Sequence, residues 1–126
     1  MVKALFDTNI LIDYLNALPE ARSELGRYEH KAISVITWME VMVGAAAPVQ
    51  AVTRSFLDSF QIVELRGDIA ERAVELRRAH RIKLPDAVIW ASAITEGAIL
   101  VTRNIKDFPA ELPGIRAPYR IDPQRN

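Results

Sequence analysis

Leu84-Pro85-Asp86 opens the stretch "AVIWASAITEGA", residues 87 to 98, which is apolar on every side until Thr95. Pro85 suits the first turn of a helix and Gly97 suits its end. A helix without a polar face has to be buried centrally, so the rest of the chain must supply layers that cover it.

The segments around it have the composition for those layers. "VKALF" (2–6), "KAISVIT" (31–37), "QIVEL" (61–65) and "AILVT" (98–102) read as strands, and "GIRAPYRI" (114–121) as a last edge strand, where Pro118 is tolerated. Between them, "ILIDYLNAL" reads as a helix closed by Pro19, residues 19–29 as a charged helix, and "WMEVMVGAAA" as a third. "VQAVTRSFLDSF" carries Val49, Val52, Phe56, Leu57 and Phe60 at amphipathic spacing, and Asp68 is placed to cap "IAERAVELRRAHRI". Strands alternating with helices imply right-handed crossovers and an α/β fold: a mostly parallel sheet of four or five strands with helices on both faces. At 126 residues, half of them apolar, the chain is expected to form one domain over 1–126.

Composition removes several chemistries. There is no cysteine, hence no disulfide, thiolate metal site or cysteine nucleophile, and only His30 and His80 are available for imidazole chemistry. No apolar run approaches the ~20 residues of a membrane span, and no signal-peptide pattern opens the chain, so a cytoplasmic location is expected. The formal net charge of zero argues against a generally basic nucleic-acid coat. Any catalysis must rest mainly on carboxylates.

Most acidic residues, such as Glu20, Glu24, Glu71 and Glu75, lie in charged helical stretches and read as solvated. Asp7, Glu40 and Asp86 instead interrupt apolar runs, in "LFDTNILI", "WMEVMVG" and "LPDAVIWA". An ionised carboxylate buried alone costs several kcal/mol, so each needs a partner or a proton. Asp107, in the loop "RNIKDF" beyond the fourth strand, is a further candidate. In an open parallel sheet ligands bind beyond the carboxyl ends of the strands, where Asp7 and Asp107 both fall, while Asp86 sits in the first turn of the buried helix. If the four converge, their repulsion calls for a cation. Mg²⁺ or Mn²⁺ fits an all-oxygen set, and either can support hydrolysis of a phosphodiester.

Local roles compete with that reading. Asp7 or Asn9 can cap the first helix, Thr37 and Glu40 have capping-box spacing, and Asp86 can be a helix-start residue. Thr8, Thr102 and Asn104 are ordinary turn or cap types that can also touch phosphate or water. The basic set Arg72, Arg77, Arg78, Arg81 and Lys83 reads as a solvated face, His80 as a helix-face residue, and Trp38 and Trp90 as core or interface.

"DTNILIDYL", "TWMEVMVG", "LPDAVIWASAI" and "LVTRNIKDF", in this order and spacing, resemble the four motifs of PIN domains, specifically the VapC-type toxins of bacterial toxin-antitoxin pairs. The resemblance covers nearly the whole chain. It implies a PIN-like α/β/α sandwich and a Mg²⁺- or Mn²⁺-dependent endoribonuclease. By motif, Asp7, Glu40, Asp86 and Asp107 are the acidic catalytic and metal-holding residues, supported by Thr8, Asn9, Thr102 and Asn104. It also implies a homodimer and a small VapB-like antitoxin whose tail occupies the acidic crevice, often with an arginine aimed at the carboxylates. Either Asn104 or Asp107 can be the nearer to the metal. Two rival readings stand beside it: a phospho-accepting domain using Asp7, and a catalytically silent PIN-like binding module.

Overall fold

A computed structural model describes residues 2–121. Five strands, β1 (Lys3–Phe6), β2 (His30–Ser34), β3 (Gln61–Val63), β4 (Ile99–Val101) and β5 (Ile115–Arg116), form one parallel sheet in the order β3-β2-β1-β4-β5. The helices are α1 (Thr8–Leu15), α2 (Pro19–Leu25), α3 (Val35–Gly44), α4 (Gln50–Asp58), α5 (Gly67–His80) and α6 (Leu84–Thr95), with a 3₁₀ turn at Ala47–Val49.

The sheet is covered on both faces, as near-continuous apolar strands require. Leu5, Ala32, Val63 and Leu100 pack with α5 and α6 on one side, where Ala87 to Ala93 of α6 are all buried. Ala4, Phe6, Ile33 and Val101 face α1, α3 and α4 on the other. The helix without a polar face is therefore enclosed as expected, and the Ser92 hydroxyl is satisfied by the Val88 carbonyl one turn back (2.8 Å).

The strand order places a functional crevice. From β1 the chain moves outward through β2 to β3, then crosses to the other side of β1 for β4. The carboxyl ends of β1 and β4 flank that reversal, the usual ligand position in open α/β sheets. The Asp7 amide there donates to the Val101 carbonyl at 2.9 Å.

Some boundaries differ from the sequence reading. Val35 to Thr37, β-branched and strand-like in composition, open α3 instead, because Ser34 ends β2 and its hydroxyl accepts from the Ile36 amide (3.1 Å). Asp68 lies inside the first turn of α5, whose N-cap is Arg66. The last strand is only two residues long.

Glu24 was expected to be solvated and is 3% exposed. Arg116 donates to it twice, from Nε at 2.7 Å and Nη2 at 3.0 Å, and Tyr28 donates its hydroxyl at 2.8 Å. Burial pushes this carboxyl up, but the hydrogen bonds from Arg116 and Tyr28 and the Arg116 charge outweigh it and hold it below 4.5. A carboxyl depressed in this way contributes stability above its unfolded pKa that is lost as pH falls through the folded value. Glu24→Gln is expected to cost about 1–3 kcal/mol at pH 7, since it leaves a guanidinium without its partner. In thermal melts the gap from the parent chain should narrow below pH ~4, as the parent's carboxylate is protonated too.

Candidate active site

Asp7 is the pivot of the crevice. It is the N-cap of α1, with Oδ1 accepting from the Thr8 amide at 2.8 Å. Its Oδ2 accepts from the Thr102 hydroxyl at 2.7 Å and from Asn9 Nδ2 at 3.2 Å. The capping role and a place in the crevice thus coexist in one side chain, which is 4% exposed.

Glu40 departs from expectation. It is exposed, not buried, and stands in the second turn of α3, where it accepts from the Thr8 hydroxyl at 2.6 Å. Thr37, fully buried in the first turn of α3, is not the N-cap, so the capping box does not form. Its hydroxyl lies 3.0 Å from that of Thr8. Glu40 is thus tied to the first residue of α1 and not to its own helix start.

Asp86 is half-buried in the first turn of α6. Asp107 is half-buried in the turn after β4 and is held by Asn104, whose Nδ2 donates to its carboxylate at 3.0 Å and whose Oδ1 accepts from its amide at 3.3 Å. The Asn104 amide in turn donates to Thr102 Oγ1 at 3.0 Å. Asn104 and Asp107 are therefore one unit, tied through Thr102 to Asp7.

The charges of the other carboxylates act on Asp7 and Asp86. Burial pushes Asp7 up to about 6, against hydrogen bonds from Thr102 and Thr8, and the charges of Asp86 and Glu40 push in the same direction as burial. Asp86 is also raised, by burial first and then by the charges of Asp107 and Glu40, with Lys83 opposing. Residues from four distant stretches thus share one negative field, which favours a cation or a proton among them.

The donor set consists of hard oxygens, which suits Mg²⁺ or Mn²⁺ and not a zinc site of cysteine or histidine. It is not preassembled: among the described residues no three acidic or histidine side chains are drawn into a ligand cluster. The reason is local, because Asp7 is occupied by three protein donors and Asp107 by Asn104.

Other residues behave as read. Trp90 is core, edge-on to Phe108 and 4.7 Å from the His80 ring, while Trp38 is half-buried, bonded to Asp58 and covered by Arg54. Arg72, Arg78, Arg81 and Lys83 are exposed, and Lys83 borders Asp86. The sequence reading missed Asp13, Arg103 and Tyr119. Asp13 is 5% exposed and accepts from Arg103 Nε (2.7 Å), Arg103 Nη2 (3.0 Å) and the Tyr119 hydroxyl (2.8 Å). One signal was available: Asp13 interrupts the apolar run "ILIDYL" much as Asp7 interrupts the run before it.

Comparison with known proteins agrees with this geometry. The family model for the PIN domain matches residues 4–110. Ribonuclease VapC19 of Mycobacterium tuberculosis is 30% identical over 124 residues, covering 91% of this chain and 98% of the relative. Among solved structures, a toxin-antitoxin complex from Klebsiella pneumoniae has a chain 50% identical with a TM-score of 0.89, covering 94% of this chain and 100% of that one. A DNA-bound VapBC from Salmonella typhimurium is 26% identical with a TM-score of 0.75, covering 92% and 96%.

Proposed function

The chain belongs to the PIN-domain family as a VapC-type ribonuclease toxin of a VapBC system, and from that premise we propose that it hydrolyses RNA with a divalent ion held by Asp7, Glu40, Asp86 and Asp107. The observation that carries the metal assignment is the shared negative field, with Asp7 and Asp86 both held toward their protonated forms. Bound there, Mg²⁺ or Mn²⁺ would polarise phosphoryl oxygens and lower the pKa of water. Thr102 and Asn9 orient Asp7, Thr8 orients Glu40, and Asn104 orients Asp107. Asp107 is assigned as the ligand and Asn104 as its support, because the amide donates to the carboxylate and Asp86 senses the Asp107 charge. Exposed Lys83 beside Asp86 is placed to attract the RNA backbone, and single-stranded or looped RNA fits a small crevice better than regular duplex.

The partner follows from the same field. A VapB-like antitoxin that inserts an arginine among the carboxylates would replace the ion's charge. Ile12 and Leu15 of α1, Met39 and Val43 of α3, and Val49 and Val52 are exposed and offer apolar surface to such a partner or to a second copy in a homodimer. Among the described residues no helix is long and apolar enough to cross a membrane.

The test is RNA cleavage by the purified chain. Chelation by EDTA should reduce it to background and added Mn²⁺ or Mg²⁺ should restore it. Because ion binding has to displace a proton from a carboxyl with a pKa of about 6, Mn²⁺ affinity by calorimetry should weaken about tenfold for each pH unit below 6. Cleavage that is indifferent to chelator overturns the metal assignment.

A further inference from the structure

We propose that Arg103, locked by Asp13 and Tyr119, is a positioning residue of the nuclease site, holding the segment after β4 against α1 so that Thr102 and Asn104 keep Asp7 and Asp107 in place. The inference rests on the metal-dependent nuclease reading above and deepens it.

The segment Thr102 to Asn104 leaves the sheet at Thr102, whose amide donates to the Arg116 carbonyl of β5 at 3.0 Å, and it carries the donors for two of the four carboxylates. Three successive residues anchor it along α1. Thr102 reaches Asp7 at 2.7 Å, the Arg103 amide donates to Asn9 Oδ1 at 3.4 Å, and the Arg103 guanidinium grips Asp13 at 2.7 and 3.0 Å. The first two bonds lie inside the crevice, where the Thr102 hydroxyl also accepts from Asn9 Nδ2 at 3.4 Å, and the second is long. The third is a planar two-point fork on a buried carboxylate, the strongest and most directional of the set. Tyr119, beyond β5, donates its hydroxyl at 2.8 Å to Asp13 Oδ2, the oxygen that also accepts from Arg103 Nε. Among the described residues the Asp13 carboxylate is bonded to Arg103 and Tyr119 and to none of the four acidic residues, so its side chain reaches the segment after β4 through Arg103.

A matched control lies in the same fold. Glu24 is held by the same kind of triad, with a two-point arginine (Arg116) and a tyrosine hydroxyl (Tyr28). Its clamp acts through the Arg116 side chain, whereas Arg116 meets the crevice segment only through its backbone carbonyl, which accepts from the Thr102 amide at 3.0 Å. Two similar clamps therefore separate a purely structural effect from a positioning one.

Asp13→Asn, Arg103→Lys, the double variant and Glu24→Gln would be compared with the parent chain. The readouts are Mn²⁺ dissociation constant by calorimetry, kcat and KM on a single-stranded RNA, and melting temperature, with assays run well below every melt. Asp13→Asn and Arg103→Lys are each expected to weaken Mn²⁺ binding and lower kcat about tenfold, the usual scale for losing an outer support of a metal ligand, while KM changes little. Lysine keeps the charge but not the fork, so it should not rescue. The double variant should lose no more than either single one, because the pair acts as one unit. Glu24→Gln should lower the melt yet leave Mn²⁺ affinity and kcat at parent values. If a charged variant fails to fold, Tyr119→Phe is expected to give a shift of about threefold in the same two readouts. Variants that melt lower but keep parental Mn²⁺ affinity and kcat, or losses that multiply in the double variant, overturn the inference alone. A parent chain that neither binds Mn²⁺ nor cleaves RNA overturns the metal reading and this inference with it.

Discussion

Asp7→Asn is expected to abolish RNA cleavage, by at least about 100-fold, and at the same time to make the metal-free chain harder to unfold. Loss of activity follows from removing a proposed ion ligand that is also the carboxylate on which the ends of β1 and β4 meet. Thr8, Asn9 and Thr102 all donate to it, and an amide offers one acceptor oxygen where they now find two. The gain in stability follows from its pKa. A carboxyl moved from 3.8 to about 6 by burial and by neighbouring Asp86 and Glu40 stands about 3 kcal/mol against its own ionised form at neutral pH. The sign is fixed by linkage. The folded chain binds this proton more tightly than the unfolded one, so the benefit is complete below 3.8 and is lost as pH rises through about 6. Asparagine carries no charge and escapes the penalty. After allowance for the weaker hydrogen bonding, a rise of about 1–2 kcal/mol, or roughly 4–8 °C, is expected at pH 7. Melts of both chains from pH 4 to 8 in EDTA check it, with the gap opening as pH rises. A variant that is less stable than its parent at pH 7, with the gap constant in pH, contradicts the account of Asp7. Such an outcome would point to the hydrogen bonds, and not the charge, as the dominant effect at this position.

The same residues explain what was legible beforehand. The parallel sheet, the enclosed α6 and the ends of β1 and β4 follow from local composition and period, which sequence displays directly. The site was legible as four motifs because a carboxylate inside an apolar run needs a reason wherever it stands. What failed was long-range. Asp13 and Glu24 read as polar interruptions or solvated charge because their arginines are 90 and 92 positions away in the chain. No pattern of charges along the sequence pairs residues that only the crossover to β4 and β5 brings together. Glu40 failed in the opposite sense, since apolar neighbours suggested burial, whereas it is the exposed face of α3 that meets Thr8. The start of α3 failed for a third reason. Val35 to Thr37 prefer strand geometry, but a cap at Ser34 and packing beneath β2 override that preference.

Phe108→Ala is expected to show how the core of this domain holds its chemistry in place. Phe108 follows Asp107 directly, is fully buried, and sits edge-on to Trp90 of α6 with ring centroids 5.8 Å apart. Its amide donates to the Asn104 carbonyl at 3.1 Å, closing the turn that carries Asp107. The ring is thus the pin that fastens an irregular, half-exposed loop to the most enclosed helix of the molecule, which also carries Asp86. Removing a buried phenyl typically costs 3–5 kcal/mol, so the melt should fall by roughly 10 °C or more. That is a large share of the total stability of a small domain. Because Asp107 loses its anchor, cleavage should also fall at temperatures where the variant is still folded by circular dichroism, to about the level of Asp107→Asn. Phe108→Leu refills most of the space and should recover most of the stability. If the alanine variant stays folded and cleaves RNA at the parental rate, Asn104 alone suffices to hold Asp107, and the turn owes its geometry to hydrogen bonds and not to the packing behind it.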